Sequence, residues 1–247
     1  MMDALQRALP ANLYASKVGT VIGVSTLFAV IAVVAVILRF KCRSMVKAKI
    51  GIDDWLILAA LPIAIADAIT VSYTTRAGLG RHVEVVPASD LAQGGKLFFT
   101  VQLLWIFSSG LVKLSILAFY LRIFSVLTYV RACAWFLIGI TTAWLISMPI
   151  AHGLQCIPVE KIWDSTVPGH CLDTVLLYLI GSIVDVVVDF LILLLPIPAI
   201  FKLQMPMPKK LSVLIIFIIG GLTCVLSLIR FTGAYSVIYN RADLTCK

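Results

Sequence analysis

The stretch SIVDVVVDFLILLLP, residues 182–196, sets Asp185 and Asp189 four positions apart in an otherwise apolar run. Carboxyl groups in such a place can hold a counter-charge, grip the polar part of a ligand or keep a proton, because desolvation favours the neutral acid. Asp67, Lys113 and Arg230 are also embedded in apolar runs, so three acids face two bases. A charge at membrane depth is costly unless it pairs or faces water, which makes each of the five a candidate by default. One reading is buried glue that fixes helix register. The other is a polar cavity holding a ligand or proton, and the residues alone leave both open.

The elements that must position these charges are membrane helices. The chain has 247 residues, is 61% hydrophobic and has a mean hydropathy of +1.06. A bilayer core takes roughly 20 apolar residues to cross. Six stretches qualify: 18–40, 54–75, 97–121, 132–151, 175–200 and 211–239. Lipid offers nothing to an unpaired backbone group, so each should be helical. No alternating ten-residue strands support a barrel. The expected fold is all-α, a polytopic transmembrane bundle of six spans, with a polar segment at 1–17 and a tail at 240–247.

A formal net charge of +8 would suggest nucleic acid in a soluble protein. Here most of the Lys and Arg sit in short segments beside helix ends, and no basic face with interleaved aromatics exists, so nucleic acid is excluded as a partner. Residues 1–17 lack the apolar core and cleavage site of a signal peptide. Arg39, Lys41, Arg43, Lys47 and Lys49 form the densest basic cluster, which puts the first loop in the cytoplasm and the N-terminus outside.

On that orientation CIPVEKIWDSTVPGHC, residues 156–171, is an outer loop. Cys156 and Cys171 can be bridged there, since an oxidising compartment favours disulfides. The competing reading, a metal site that adds His152 and His170, follows no recognised zinc spacing, and no metal is expected. Pro62 interrupts the second span, and Pro196 and Pro198 stand near the inner end of the fifth.

Depth can be estimated at ~1.5 Å per helical residue. Asp185 and Asp189 then lie ~15 and ~21 Å below the outer end of the fifth helix, on one face because i and i+4 share a face. Lys113 falls ~24 Å along the third helix, Asp67 ~20 Å along the second and Arg230 ~28 Å along the sixth. These depths pair Lys113 with Asp189, and Arg230 with Asp185 or Asp67.

Six motifs agree in order and spacing with one family. DDWLIL at 53–58 opens the second span, GLGRH at 78–82 follows its outer end, and LVKLSILAFYLRIF at 111–124 closes the third. Cys156, Trp163 and Cys171 mark the outer loop, followed by VDFLILLLPIPAI at 188–200 and SLIRF at 227–231. From about residue 18 to 245 the chain resembles the fungal rhodopsin-like domain family, which includes membrane proteins of satratoxin-type metabolite clusters and Pth-type candidate receptors. The resemblance singles out Asp53, Asp54, Trp55, Arg122 and Trp163, and strengthens Lys113, Asp189 and Arg230 as a set. Asp53 and Asp54 also suit a helix N-terminus, where free N–H groups and the dipole favour acids.

The chain departs from the family twice. Asp185 stands where the family is expected to show Asn, and the chain stops near the start of a seventh helix, which implies a truncated or six-helix variant. Microbial retinal proteins carry the chromophore on a lysine of the last helix, whereas Lys113 is on the third. No retinal Schiff base is expected, and no other cofactor.

The function implied is receptor-like, or accessory to a secondary-metabolite cluster. The lipid bilayer, a small apolar ligand and a G protein are the partners that reading calls for. Arg122 in FYLRIF lies where G-protein-coupled receptors carry an Arg, although Leu121 replaces the acid that normally precedes it; a snorkelling flank residue is the plainer account. The alternatives are a small-molecule transporter or efflux component, and a membrane-embedded, cyclase-like enzyme using a protonated aspartate. No catalytic residue set supports the enzyme, and no internal repeat supports the transporter.

Overall fold

The computed structural model describes residues 18–47, 49–76, 88–124, 127–163, 167–198 and 220–228. Five long helices run through them: α1 (Val18–Met45), α2 (Ile52–Thr74), α3 (Ala88–Ile123), α4 (Thr128–Gly153) and α5 (Thr174–Leu194). All five are long and apolar enough to cross a membrane. A further helical segment, α6, covers 220–228 within the expected sixth span, the rest of which lies outside the described residues. The helices overrun several of the apolar stretches, because an apolar run marks only the part at membrane depth and the backbone ladder continues into the interface.

The fifth helix is the exception. It ends at Leu194 rather than 200, in a turn at Leu195–Pro196. A proline removes an N–H donor and drives the residue before it out of the helical region. By contrast Pro62 is absorbed within α2.

α3 is the centre of the bundle and packs against α2, α4 and α5, while α1 packs on α2 and α5 on α4. The apolar core joins α3, α4 and α5 through Leu117, Tyr120 and Phe124, Val130, Ala134 and Leu137, and Val188 and Ile192. Gly110 sets how closely α3 and α4 approach: a Cβ there would lie 2.6 Å from Leu145 Cδ1. The outward faces carry large apolar side chains such as Leu27, Phe28, Ile69, Phe136 and Phe190, each about half exposed or more, as lipid-facing residues are.

After α4 the chain makes a small hairpin, β1 (Cys156–Ile157) antiparallel to β2 (His170–Cys171), with a 3₁₀ turn at Val159–Ile162 between them. Cys156 faces Cys171 in register, and the two form a disulfide. Both thiols are used in that bridge. The 3₁₀ turn ends at Trp163, whose ring lies 5.4 Å from Lys96 Nζ near the start of α3.

Candidate functional site

Two charged clusters are strung along α3. The first is built on Lys113, which is 5% exposed. Its ammonium donates to the Asp185 carboxylate, to the Asp185 backbone carbonyl at 3.1 Å, and pairs with Asp189 at 3.1 Å. Asp189 also accepts a bond of 2.9 Å from Ser227 of α6. The Trp144 ring of α4 lies 5.5 Å from the ammonium, a cation–π distance. That indole is itself held, donating to the Gly181 carbonyl at 3.3 Å and meeting Trp105 edge-on at 6.3 Å. Side chains of α4 and α5 thus meet the α3 ammonium, and α6 joins them through Asp189.

The i, i+4 spacing of Asp185 and Asp189 brings both carboxylates to Lys113, as one helix face requires. Depth pairs Lys113 with Asp189 and leaves Arg230 to Asp185 or Asp67; the structure joins Lys113 to Asp189 and to Asp185 as well. An extended lysine side chain spans about one helical turn, so depth measured at Cα misjudges where its charge lies. Arg230 lies outside the described residues, and Asp67 is half-buried on α2.

The second cluster sits where α1 ends, α2 begins and α3 ends. Arg39 bonds Asp53 at 2.6 Å and Asp54 at 3.0 Å, and Arg43 pairs with both acids. Arg122 reaches Asp53 at 3.5 Å and donates to the Lys49 carbonyl at 2.6 Å. Asp54 accepts the Gly51 N–H at 3.0 Å, closing the first turn of α2, and Ser115 of α3 donates to the Asp53 carbonyl at 2.6 Å. A side chain at Gly51 would run into the Asp53 carboxylate and the Arg122 guanidinium, so glycine is what admits the two groups. Asp53 and Asp54 are 2% and 0% exposed, and burial of that order is tolerable for carboxylates only with such partners.

Sequence reasoning separated these residues. It treated Arg39 and Arg43 as topogenic flanks, Asp53 and Asp54 as helix-start acids, and Arg122 as a lone interface residue. The available signal was the change of sign across a short turn, two arginines closing α1 and two acids opening α2. Trp144 carries no sequence signal, and Ser227, visible only as the start of the SLIRF motif, is brought to Asp189 by packing alone. Trp55 is 65% exposed at the start of α2, outside the cluster.

The model of the fungal rhodopsin domain matches residues 38–247. The chain belongs to that family. It is 31% identical over 215 residues to wortmanamides biosynthesis cluster protein C of Talaromyces wortmannii, covering 85% of this chain and 59% of that protein. A SAT4 family membrane protein of Emericella nidulans is 36% identical over 159 residues, 62% of this chain and 41% of its own. Receptor GIN3 of Arthrobotrys oligospora is 27% identical over 233 residues, 92% of this chain and 55% of the receptor. The chain therefore spans about half the length of the curated relatives it matches. No solved structure matches it.

Proposed function

We propose that this fungal rhodopsin domain protein is receptor-like: a ligand that perturbs the Lys113 cluster shifts α3, and the Arg122 end reports the shift. The observation that carries the reading is that one helix bears both charges, nine residues apart, ~13.5 Å along the axis, with each charge tied to different neighbouring helices. α3 cannot rotate or slide at one cluster without loading the other, and packed helices respond to such loads by switching between discrete arrangements. The basic segment 39–49 favours a cytoplasmic position for the arginine cluster, which supports reading Arg122 as the G-protein-facing residue. The disulfide-closed hairpin follows α4 at the opposite end and would face the ligand's side. The receptor-named relative supports this reading.

The three oxygen contacts of Lys113 suit a free ammonium with three hydrogens. A protonated Schiff base would offer one, so these residues do not fit a retinal linkage. An apolar molecule with one polar group is the ligand class favoured by Trp144 beside the ammonium and Trp105 packed against it.

Nucleotide exchange on a fungal Gα subunit, measured with wild type and Arg122→Ala in nanodiscs, tests the output. Exchange that is stimulated by the wild type and lost in the variant is expected; stimulation that survives removes Arg122 from the mechanism. Hydrogen exchange at residues 51–55 tests the linkage, since Asp185→Asn should alter it from a distance. Several relatives are named for biosynthetic clusters, which favours as a second reading an accessory role beside secondary-metabolite synthesis.

A further inference from the structure

α1 touches the bundle unevenly. Near its start Ser25 and Ser72 of α2 are joined hydroxyl to hydroxyl at 3.3 Å, and at its other end Arg39 and Arg43 clamp Asp53 and Asp54. Between these two anchorages Val36 is the one residue of α1 that is buried. The gap is a half-open cleft of about 390 Å³ between α1, α2 and α3. Ala32, Ala35, Ala60, Ala64 and Ser108 make half of its lining, larger apolar side chains most of the rest, and Arg39 stands at one end.

We propose that the cleft binds an anionic phospholipid, one acyl chain lying between α1, α2 and α3 and the charged head at the Arg39 end. Three considerations favour that occupant. A concavity at membrane depth loses dispersion contacts if left empty, and acyl chains are the material at hand to fill it. Its volume lies within the range of built small-molecule sites. Charge then selects the head: among the described residues the acids that Arg39, Arg43 and Arg122 meet are Asp53 and Asp54, leaving one cation in surplus, and Lys41, Lys47 and Lys49 adjoin without an acid among them. Juxtamembrane basic segments of this kind attract anionic lipids. The head would add to a cluster already closed by its acids, so the site leaves the clamp intact.

The test uses the full chain in mild detergent, supplied with equal phosphatidylserine and phosphatidylcholine and read by native mass spectrometry. Wild type should retain one phosphatidylserine with at least about a fivefold preference, roughly what a single surface cation contributes, and high salt should erase the preference. Ala35→Leu and Ala64→Leu fill the cleft from opposite walls without touching an arginine. Each should lose the retained lipid while remaining monodisperse. Equal retention of both lipids overturns the proposal, as does a preference that both filled variants keep. A bound mass of a free fatty acid, or a dimer that forms only when lipid is stripped, would assign the cleft to another occupant and equally overturn it.

Discussion

Replacing Lys113 by Met probes the centre of the bundle directly, because the two side chains differ little in length and mainly in charge. Lys113 and Asp185 are 5% and 3% exposed, so neither can turn to solvent when its partner is lost. Removing the ammonium deletes the Lys113 ion pair from Asp185 and leaves Asp189 with the Ser227 hydroxyl at 2.9 Å. Breaking a buried pair by deleting one partner costs about 3–5 kcal/mol. For a chain of this size that lowers Tm by about 6–20 °C. Thermal unfolding in detergent, followed by loss of the monodisperse peak on size exclusion, measures it. The double variant Lys113→Met/Asp185→Leu removes both direct partners and leaves Asp189 on Ser227. It should therefore be more stable than Lys113→Met alone, a coupling of ~1–3 kcal/mol between contacting residues. A single variant within 2 °C of wild type, or a double variant whose losses simply add, would refute the view that this pair is a mutually dependent buried unit.

Two further outcomes follow from other parts of the fold. Cys156→Ser/Cys171→Ser opens a loop with a sequence separation of 15, and should lower stability by ~3 kcal/mol in non-reducing buffer while leaving reduced wild type and variant alike in thermal scans. Gly110→Val places a branched side chain where Leu145 Cδ1 already lies 2.6 Å from a bare Cβ, and should cost ~1–3 kcal/mol, partly recovered by adding Leu145→Ala.

Legibility from the chain followed the range of the forces involved. The long helices could be read because the requirement for internal backbone hydrogen bonding in lipid is local and applies to every apolar stretch separately. Asp185 and Asp189 could be assigned to one face from their spacing, since that is a property of a single helix. Their partner could only be ranked by depth, which pairs Lys113 with Asp189 and does not reveal that Lys113 meets Asp185 as well. Arg39, Arg43, Asp53, Asp54 and Arg122 were each visible, yet each had a satisfactory local explanation that concealed their meeting. The end of α5 at Leu194 was signalled by Pro196, although hydropathy continued to 200.

What the sequence determined unaided was the solvent of this protein, its helical class, the neighbouring cysteines of its loop and the inventory of charges that lipid would not accept. The tertiary structure decided which charges share a partner, that Trp144 shields the ammonium, and that α3 carries both clusters. The reason is physical: composition and period act along one chain segment, whereas a buried ion pair exists only where two helices set side chains of opposite sign within about 4 Å, and that distance is chosen by packing.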